Sequence, residues 1–299
     1  MDDLFNAQPY DRLITDDAQP IFLRVCHSPW SFISQSTLVS VRAAIVTYLT
    51  VLGIMLWYYK TGSEIHVLDE GGKWKEYSNL EPIFQFSTIA FLYLWVYHVL
   101  TFCWAFAHLN YRGISENDNR LGAAILRWMA PPALPTDHPD RFSFSLFFLE
   151  THVYVLMNAI MYWAVLVPTG HDHFPKDEPT HELFDSLFGH GWFQPFCIIS
   201  LWGITALVAI IEILFLNKIK YPVPASKHLL LVAYKLTAYL GWAALGYLVT
   251  GRYPFFWMSR KEMKSGEAVM ASCAGFVATG PLVSGLVYAL IYVREQHSQ

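Results

Sequence analysis

The chain has 299 residues, of which 54% are hydrophobic and 16% aromatic, and its formal net charge is −4. Only 15% of the residues are charged, whereas a soluble domain carries about a quarter. The apolar residues collect in blocks long enough to cross a bilayer, whose ~30 Å core needs about 20 helical residues. This composition excludes an ordinary soluble enzyme and a basic nucleic-acid-binding protein, and it indicates an integral membrane protein.

The N-terminal segment, residues 1–40, is polar and contains no early apolar core. Asp2, Asp3, Asp16 and Asp17 precede any hydrophobic run. This pattern is not that of a cleavable signal peptide, so we expect the first membrane helix itself to direct insertion.

Six apolar blocks follow, at about 41–59, 83–108, 142–168, 192–216, 228–250 and 268–293, and they leave a short tail at 294–299. Charged loops that contain proline and glycine separate the blocks. Continuous apolar runs predict helices, because a membrane barrel would show alternating segments of ~10 residues. The predicted fold is therefore all-α: a polytopic bundle of six transmembrane helices that forms one domain over 41–293.

The loops between the helices fall on two sides of the membrane. We call the side on which the first, third and fifth helices begin the inner side, and the opposite side the outer side. The inner segments carry 11 Lys and Arg residues, including Arg42 and Arg294, and the outer loops carry 8. The positive-inside rule therefore predicts that both termini are cytosolic. The endoplasmic reticulum and the plasma membrane both remain open as the location.

The loop between the second and third helices contains the sequence "NRLGAAILRWM". Leu121, Ile125 and Trp128 recur in it at helical spacing. Two interpretations stay open: a short interfacial helix on the cytosolic leaflet, or a partly ordered loop anchored by one tryptophan.

Ionisable side chains inside the predicted helices form a second set of candidates: His98, Glu150, His152, Glu212 and Lys235. Such groups are costly in hydrocarbon and usually face the bundle interior. At ~1.5 Å per residue, His98, Glu150 and Lys235 can share one buried polar layer. A network that fixes helix register is the favoured interpretation, and a proton relay or a substrate-polarising cluster is the alternative. Glu212 is expected about one turn from the inner end, where it would reach water.

Metal and cofactor signals are weak. The loop after the third helix holds His171, Asp172, His173, Asp177, Glu178, His181 and Glu182. Histidines and carboxylates can bind zinc, but the spacing matches no ligand pattern, so a solvated acidic loop is favoured and no metal site is predicted. Cys26, Cys103, Cys197 and Cys273 lie far apart and are interpreted as apolar core residues. The chain contains no P-loop, GxGxxG, GxSxG or HExxH motif, so no cofactor is predicted.

Two polar residues are candidates for catalysis because of the topology. Thr88 lies near the start of the second helix, and His190 precedes the fourth, so both are expected at the outer side. A threonine nucleophile needs a base such as histidine. The alternative is structural, because helical threonines commonly bond the carbonyl four residues earlier.

Several motifs resemble the androgen-induced membrane protein family and its rolling-stone-like relatives, over roughly residues 40 to 293. They are "FSTIAFLYL" opening the second helix, Tyr162-Trp163 late in the third, His190-Gly191 at the fourth, and "YLGWAALGYLVTGRYPFFW" closing the fifth. The hydrolase branch of that family cleaves fatty acid esters of hydroxy fatty acids with an intramembrane threonine and histidine. The resemblance implies that Thr88 is the nucleophile and that His190 or a neighbour is the general base. In that branch the catalytic histidine lies three positions after the histidine that precedes the glycine. This chain has Phe193 at that position. The rolling-stone-like branch also lacks this second histidine.

Three functions follow as hypotheses. The first is an intramembrane hydrolase of lipid esters, whose partners are membrane lipids and a lipid ester substrate. The second is a non-enzymatic protein that organises the membrane or binds a partner. The third, a transporter that uses His98, Glu150 and Lys235, is less favoured because no inverted repeat and no paired broken helices are visible. The sequence predicts no nucleic-acid partner and fixes no oligomeric state.

Overall fold

A computed structural model describes residues 21–62, 66–68, 74–76, 80–110, 121–130, 139–171, 192–220 and 225–298. Six of its helices are long and apolar enough to cross a membrane, which confirms the predicted all-α six-helix fold. These spans are Gln35–Trp57, Phe86–Asn110, Phe142–Leu166, Pro195–Leu216, Ala225–Thr250 and Gly266–His297, and we call them the first to the sixth span. The protein is a multi-pass membrane protein.

The first half of the chain contributes α1 (Ile21–Cys26), α2 (Gln35–Gly62), α3 (Glu81–Phe84), α4 (Phe86–Asn110) and α5 (Leu121–Met129). Two short antiparallel strands, β1 (His66–Leu68) and β2 (Trp74–Glu76), follow α2, with His66 opposite Glu76. The second half contributes α6 (Pro139–Met161), α7 (Phe193–Ile199), α8 (Thr205–Ile211), α9 (Ala225–Thr250), α10 (Arg260–Met263) and α11 (Gly266–His297).

Three stretches within the third and fourth spans have π-helical hydrogen bonding: Tyr162–Leu166, Ser200–Ile204 and Glu212–Leu216. Two of these stretches contact each other, because the Tyr162 ring stacks on Trp202 with ring centroids 3.9 Å apart. Stretches of this kind are often found at functional sites. Tyr162–Leu166 and Ser200–Ile204 lie where the third and fourth spans pack together, and Glu212–Leu216 packs against the sixth span.

The third span is the centre of the bundle. It is 78% buried over its most apolar stretch, whereas the other spans are 28% to 39% buried. Their remaining surface is the expected lipid contact of a bundle in a bilayer. The fifth span packs against the sixth and approaches α3 closely at Gly246, where an added Cβ would lie 2.6 Å from Phe84 Cγ. Glycine therefore permits this contact between α9 and α3.

The sequence between the second and third spans forms a helix, α5, so the helical interpretation of this loop is confirmed. Leu121, Ile125 and Trp128 are exposed on it, and Ala123 is buried against the bundle. Exposed apolar residues on a helix at the end of a span suit the membrane interface.

The described part of the N-terminal segment, residues 21–40, contains a short helix that packs against the bundle. Within α1, Val25 and Cys26 are fully buried, and burial raises the pKa of the Cys26 thiol to about 12. Ser28 Oγ donates to the Phe215 carbonyl and Trp30 Nε1 donates to the Leu214 carbonyl, both at 2.8 Å. Residues 21–30 are thus attached to the inner end of the fourth span.

Two arginines of the inner-side charge count are buried inside membrane spans. Arg42 is in α2 and Arg294 in α11, and both are buried. Without them the eleven inner charges become nine, against eight on the outer side. The cytosolic location of both termini therefore stays a prediction.

Candidate functional site

Thr88 lies in the first turn of α4, two residues after its start at Phe86. Its N–H donates to the Gln85 carbonyl at 3.2 Å. The Phe84 carbonyl, which lies four residues earlier, accepts the Tyr239 hydroxyl at 3.1 Å. The Thr88 hydroxyl itself makes no hydrogen bond to any part of the chain that is described. The structural alternative, a bond to the carbonyl four residues earlier, is therefore wrong for Thr88.

Most other threonines of the spans behave differently. Each donates its hydroxyl to the carbonyl four residues earlier: Thr50, Thr151, Thr205, Thr237, Thr250 and Thr279. The Thr47 hydroxyl, like that of Thr88, makes no hydrogen bond within the described residues, but Thr47 is exposed on the outside of the first span. Thr88 is half-buried at a helix N-terminus, where the helix dipole favours negative charge.

The outer ends of the first, second and fourth spans meet near Thr88. Leu52 and Leu56 of the first span form a buried cluster with Cys197 and Leu201 of the fourth. Phe91, one turn beyond Thr88, packs against this cluster. His190 precedes the fourth span by a few residues but lies outside the described residues, so its distance from Thr88 is not defined.

The predicted polar layer is divided into two groups. In the first, which we call the peripheral pair, Lys235 Nζ donates to Glu150 Oε2 at 2.7 Å. The Glu150 side chain is 1% exposed and that of Lys235 is 39% exposed. Tyr93 and Tyr154, whose ring centroids are 5.2 Å apart, lie within electrostatic reach of Glu150.

The second group contains the two histidines. His98 and His152 are fully buried, and their rings stand edge-on against Tyr97 with centroids 5.4 Å and 5.1 Å from it. His152 Nδ1 hydrogen-bonds to the Phe148 carbonyl at 2.6 Å. Neither ring nitrogen of His98 has a hydrogen-bond partner among the described residues. The structure therefore brings His98 together with His152, but it does not bond His98 to Glu150 or Lys235.

Glu212 is fully buried, so the expectation that it reaches water is wrong. The reason is Arg42, whose Nη2 lies 2.9 Å from Glu212 Oε1 in an ion pair with both side chains 0% exposed. The same oxygen accepts the Tyr97 hydroxyl at 2.9 Å. Arg42 also donates to the carbonyls of Thr101 at 2.9 Å and Leu216 at 2.7 Å.

Arg294 completes this cluster from the sixth span. Its Nη1 donates to the Ile213 carbonyl at 3.0 Å and to Asn217 Oδ1 at 2.9 Å, and its Nη2 donates to the Ile219 carbonyl. Asn217 Nδ2 in turn donates to the Glu212 carbonyl at 2.7 Å. We call Arg42, Glu212, Asn217 and Arg294 the inner clamp. It satisfies the carbonyls that the end of a helix leaves without partners.

A buried hydroxyl–imidazole contact links the third and fifth spans. Ser145 Oγ lies 2.9 Å from His228 Nε2 and donates to the Phe142 carbonyl at 2.9 Å. Both side chains are buried, so a substrate has no access to them. This contact, which the sequence did not reveal, holds two helices in register.

The histidine-rich loop contributes one described residue. The His171 ring stacks on Phe256 with centroids 3.8 Å apart, and its Nε2 lies 4.0 Å from Glu262 Oε2. His173, His181 and the acidic residues of the loop lie outside the described residues. Among the residues that the structure describes, no group of three or more His, Cys, Asp or Glu residues could hold a metal ion.

Scans against known protein families, against curated proteins and against solved structures find no match for this chain. The resemblance drawn from its short motifs therefore stays a prediction. Function has to be inferred from the geometry of the site.

Proposed function

We propose that the protein is an intramembrane hydrolase of lipid esters that uses Thr88 as its nucleophile and His190 as its general base. One observation carries the proposal: the Thr88 hydroxyl is uncommitted at the outer end of a long helix. A hydroxyl that is bonded to a backbone carbonyl would have to break that bond before it could attack an ester. The Thr88 hydroxyl has no such bond to break within the described residues.

The neighbourhood of Thr88 supports the same chemistry. The helix dipole at the start of α4 stabilises the negative charge that develops on a threonine oxygen as it attacks. The cluster formed by Leu52, Leu56, Cys197 and Leu201, with Phe91 packed against it, joins the outer ends of the first, second and fourth spans. His190 precedes the fourth span at that same side, which favours its meeting Thr88.

The proposed reaction has two steps. Thr88 Oγ attacks the ester carbonyl while His190 takes the hydroxyl proton, and the bond to the alcohol oxygen breaks as His190 returns the proton to it. Water then attacks the acyl-threonine while His190 takes a proton from it, the bond between the acyl carbon and Thr88 Oγ breaks, His190 returns the proton to Thr88, and the fatty acid is released. Lipid esters would enter from the bilayer.

The test uses detergent-purified full-length protein, esters of hydroxy fatty acids, and a fluorophosphonate probe. An activated hydroxyl attacks the phosphorus of this probe and displaces fluoride, which labels the residue. Thr88→Ala and His190→Ala are expected to lose labelling and at least ~100-fold in turnover, as removal of a nucleophile or base does. Thr237→Ala is the matched control, because its hydroxyl is bonded to the Ala233 carbonyl. If both site variants label and turn over like the parent, the site is wrong. If the parent does neither, the non-enzymatic, membrane-organising function replaces the hydrolase.

A further inference from the structure

The peripheral pair places a lysine, whose side chain is partly exposed, deep in a membrane span. Lys235 lies ten residues after the start of α9 and fifteen before its end. At ~1.5 Å per residue these are about 15 Å and 22 Å. A ~30 Å hydrocarbon core centred on this helix would enclose Lys235 well below the headgroups. An amine that faces hydrocarbon at this depth is costly and usually marks a site.

Lys235 cannot avoid this cost by extending toward the headgroups. Its Nζ is held 2.7 Å from Glu150 Oε2 on the central third span. The Glu150 side chain is 1% exposed, whereas 39% of the lysine side chain remains open. The amine therefore stays at this depth, beside the part of the lysine side chain that is exposed.

The polar groups around the pair have unused hydrogen-bonding capacity. An ammonium group has three donors, and Lys235 uses one of them on Glu150. Glu150 Oε1 is buried and has no partner within the described ranges. The hydroxyls of Tyr93 and Tyr154 likewise make no hydrogen bond there. Donors and an acceptor thus converge between the second, third and fifth spans.

The charges decide which ligand fits. Lys235 and Glu150 already neutralise each other, so an anionic or cationic group brought to this depth would keep an unpaired charge. A hydroxyl group can both donate to Glu150 Oε1 and accept from Lys235 or a tyrosine. Uncharged lipids whose polar group is a hydroxyl are also the lipids that leave the headgroup region most readily.

We propose that Lys235, Glu150, Tyr93 and Tyr154 form a lateral binding site for the hydroxyl group of an uncharged lipid. A diacylglycerol and a sterol share this chemistry, and both would reach the site from the bilayer between the second and fifth spans. The site is deeper than Thr88 and does not rest on the proposed hydrolase activity.

The experiment is photo-crosslinking of the full-length protein in phosphatidylcholine nanodiscs. One probe is a diacylglycerol with a diazirine in its acyl chain, a second is a photoreactive sterol, and the matched control is phosphatidylcholine with the same diazirine chain. We expect the diacylglycerol or the sterol to label peptides that contain Tyr93, Tyr154 or Lys235, and the arm that labels identifies the source. The phosphatidylcholine probe should label them at least ten-fold less.

The key variant is the double substitution Glu150→Gln with Lys235→Met, which removes both charges and leaves neither unpaired. It should lose labelling at least ten-fold and keep the thermal unfolding temperature within a few degrees of the parent. Leu230→Ala, at an exposed position of the same helix, should label like the parent. Thr88→Ala should also keep labelling, which separates this site from the hydrolase.

Two results would overturn the proposal. One is equal labelling of the parent and the double variant, or equal labelling by the phosphatidylcholine probe. The other is a parent that resists labelling and forms a dimer in native mass spectrometry that the double variant loses, because Lys235 would then be covered by a second copy of the chain.

Discussion

The inner clamp and the peripheral pair each contain one lysine or arginine bonded to one buried glutamate, yet their surroundings differ. The Arg42–Glu212 pair is 0% exposed on both sides, and its glutamate also accepts the Tyr97 hydroxyl. In the peripheral pair the lysine is 39% exposed and makes a single hydrogen bond. Arginine suits the first environment because its planar fork reaches several acceptors at once.

This difference separates structure from binding. The inner clamp has most of its donors and acceptors engaged by the protein itself, so it fixes the helices. The peripheral pair keeps unused donors on a lysine whose side chain is partly exposed, and an unused acceptor on the buried Glu150 beside it, so it can bind a ligand. Four predictions test this contrast, in order of decreasing effect.

The largest effect is expected from Arg42→Met, which leaves Glu212 buried without its cation. Removal of one partner of a buried ion pair costs about 3–5 kcal/mol. The measurement is the free energy or temperature of unfolding in detergent, followed by tryptophan fluorescence. The double variant with Glu212→Leu should recover part of the loss. An unfolding temperature equal to that of the parent would show that the clamp does not fix the helices.

A smaller effect is expected at the peripheral pair, with a defined asymmetry. Lys235→Met leaves a carboxyl group that is 1% exposed without its partner, whereas Glu150→Gln leaves an amine that is 39% exposed. We expect Lys235→Met to be the more destabilising of the two, by about 1–2 kcal/mol, and both to cost less than Arg42→Met. The same unfolding assay checks the order. The reverse order would mean that Lys235, which lies deep in the membrane span, is the more costly of the two groups to leave without its partner.

His98→Phe is expected to be neutral or to stabilise the protein. Neither ring nitrogen of His98 has a partner in the described structure, and a buried polar group without a partner costs about 1–3 kcal/mol. His228→Phe is the matched control, since it removes the bond to Ser145 and should destabilise by about 1 kcal/mol. A larger loss for His98→Phe than for His228→Phe would indicate that His98 is hydrogen-bonded through ordered water.

The smallest effect is chemical. Burial raises the pKa of the Cys26 thiol from 9.0 to about 12. The stability that the buried thiol contributes is therefore complete below pH 9 and is lost as the pH rises toward 12. In a variant whose other three cysteines are alanine, N-ethylmaleimide should leave Cys26 unlabelled at pH 8. Labelling should occur only after a denaturing detergent has unfolded the chain. Rapid labelling of Cys26 in the folded protein would show that α1 lies outside the bundle. Arg42→Met, which disrupts the inner clamp, should increase the labelling of Cys26.

The six spans were predictable because each is a continuous apolar run, and length alone identifies such helices. The bond between Glu150 and Lys235 was consistent with the depth calculation, since depth follows directly from residue number. The place of His98 was not predictable in this way. Depth does not tell which way a side chain points around its helix, and His98 turns toward Tyr97 and Arg42 instead.

The inner clamp was missed for another reason. Arg42 and Arg294 lie near helix ends, where positive residues ordinarily face headgroups, so both were counted as cytosolic charges. The signal that could have identified the clamp was Glu212, an acidic residue in an apolar run, which needs a cation nearby. Thr88 was chosen from its position in the topology alone. The bond from the Tyr239 hydroxyl to the Phe84 carbonyl, four residues before Thr88, joins residues more than a hundred positions apart and does not follow from topology.

The inner clamp also constrains the order in which the protein can be completed. Arg294 follows its acceptor Ile213 by 81 residues. At about 5–20 residues per second of synthesis, the end of the fourth span waits several seconds for this donor. During that interval its carbonyls have to be satisfied by water or by the insertion machinery. A chain that stops before the sixth span would keep these carbonyls without the Arg294 donor. A quality-control protease that recognises unsatisfied polar groups in the membrane could therefore recognise the truncated chain.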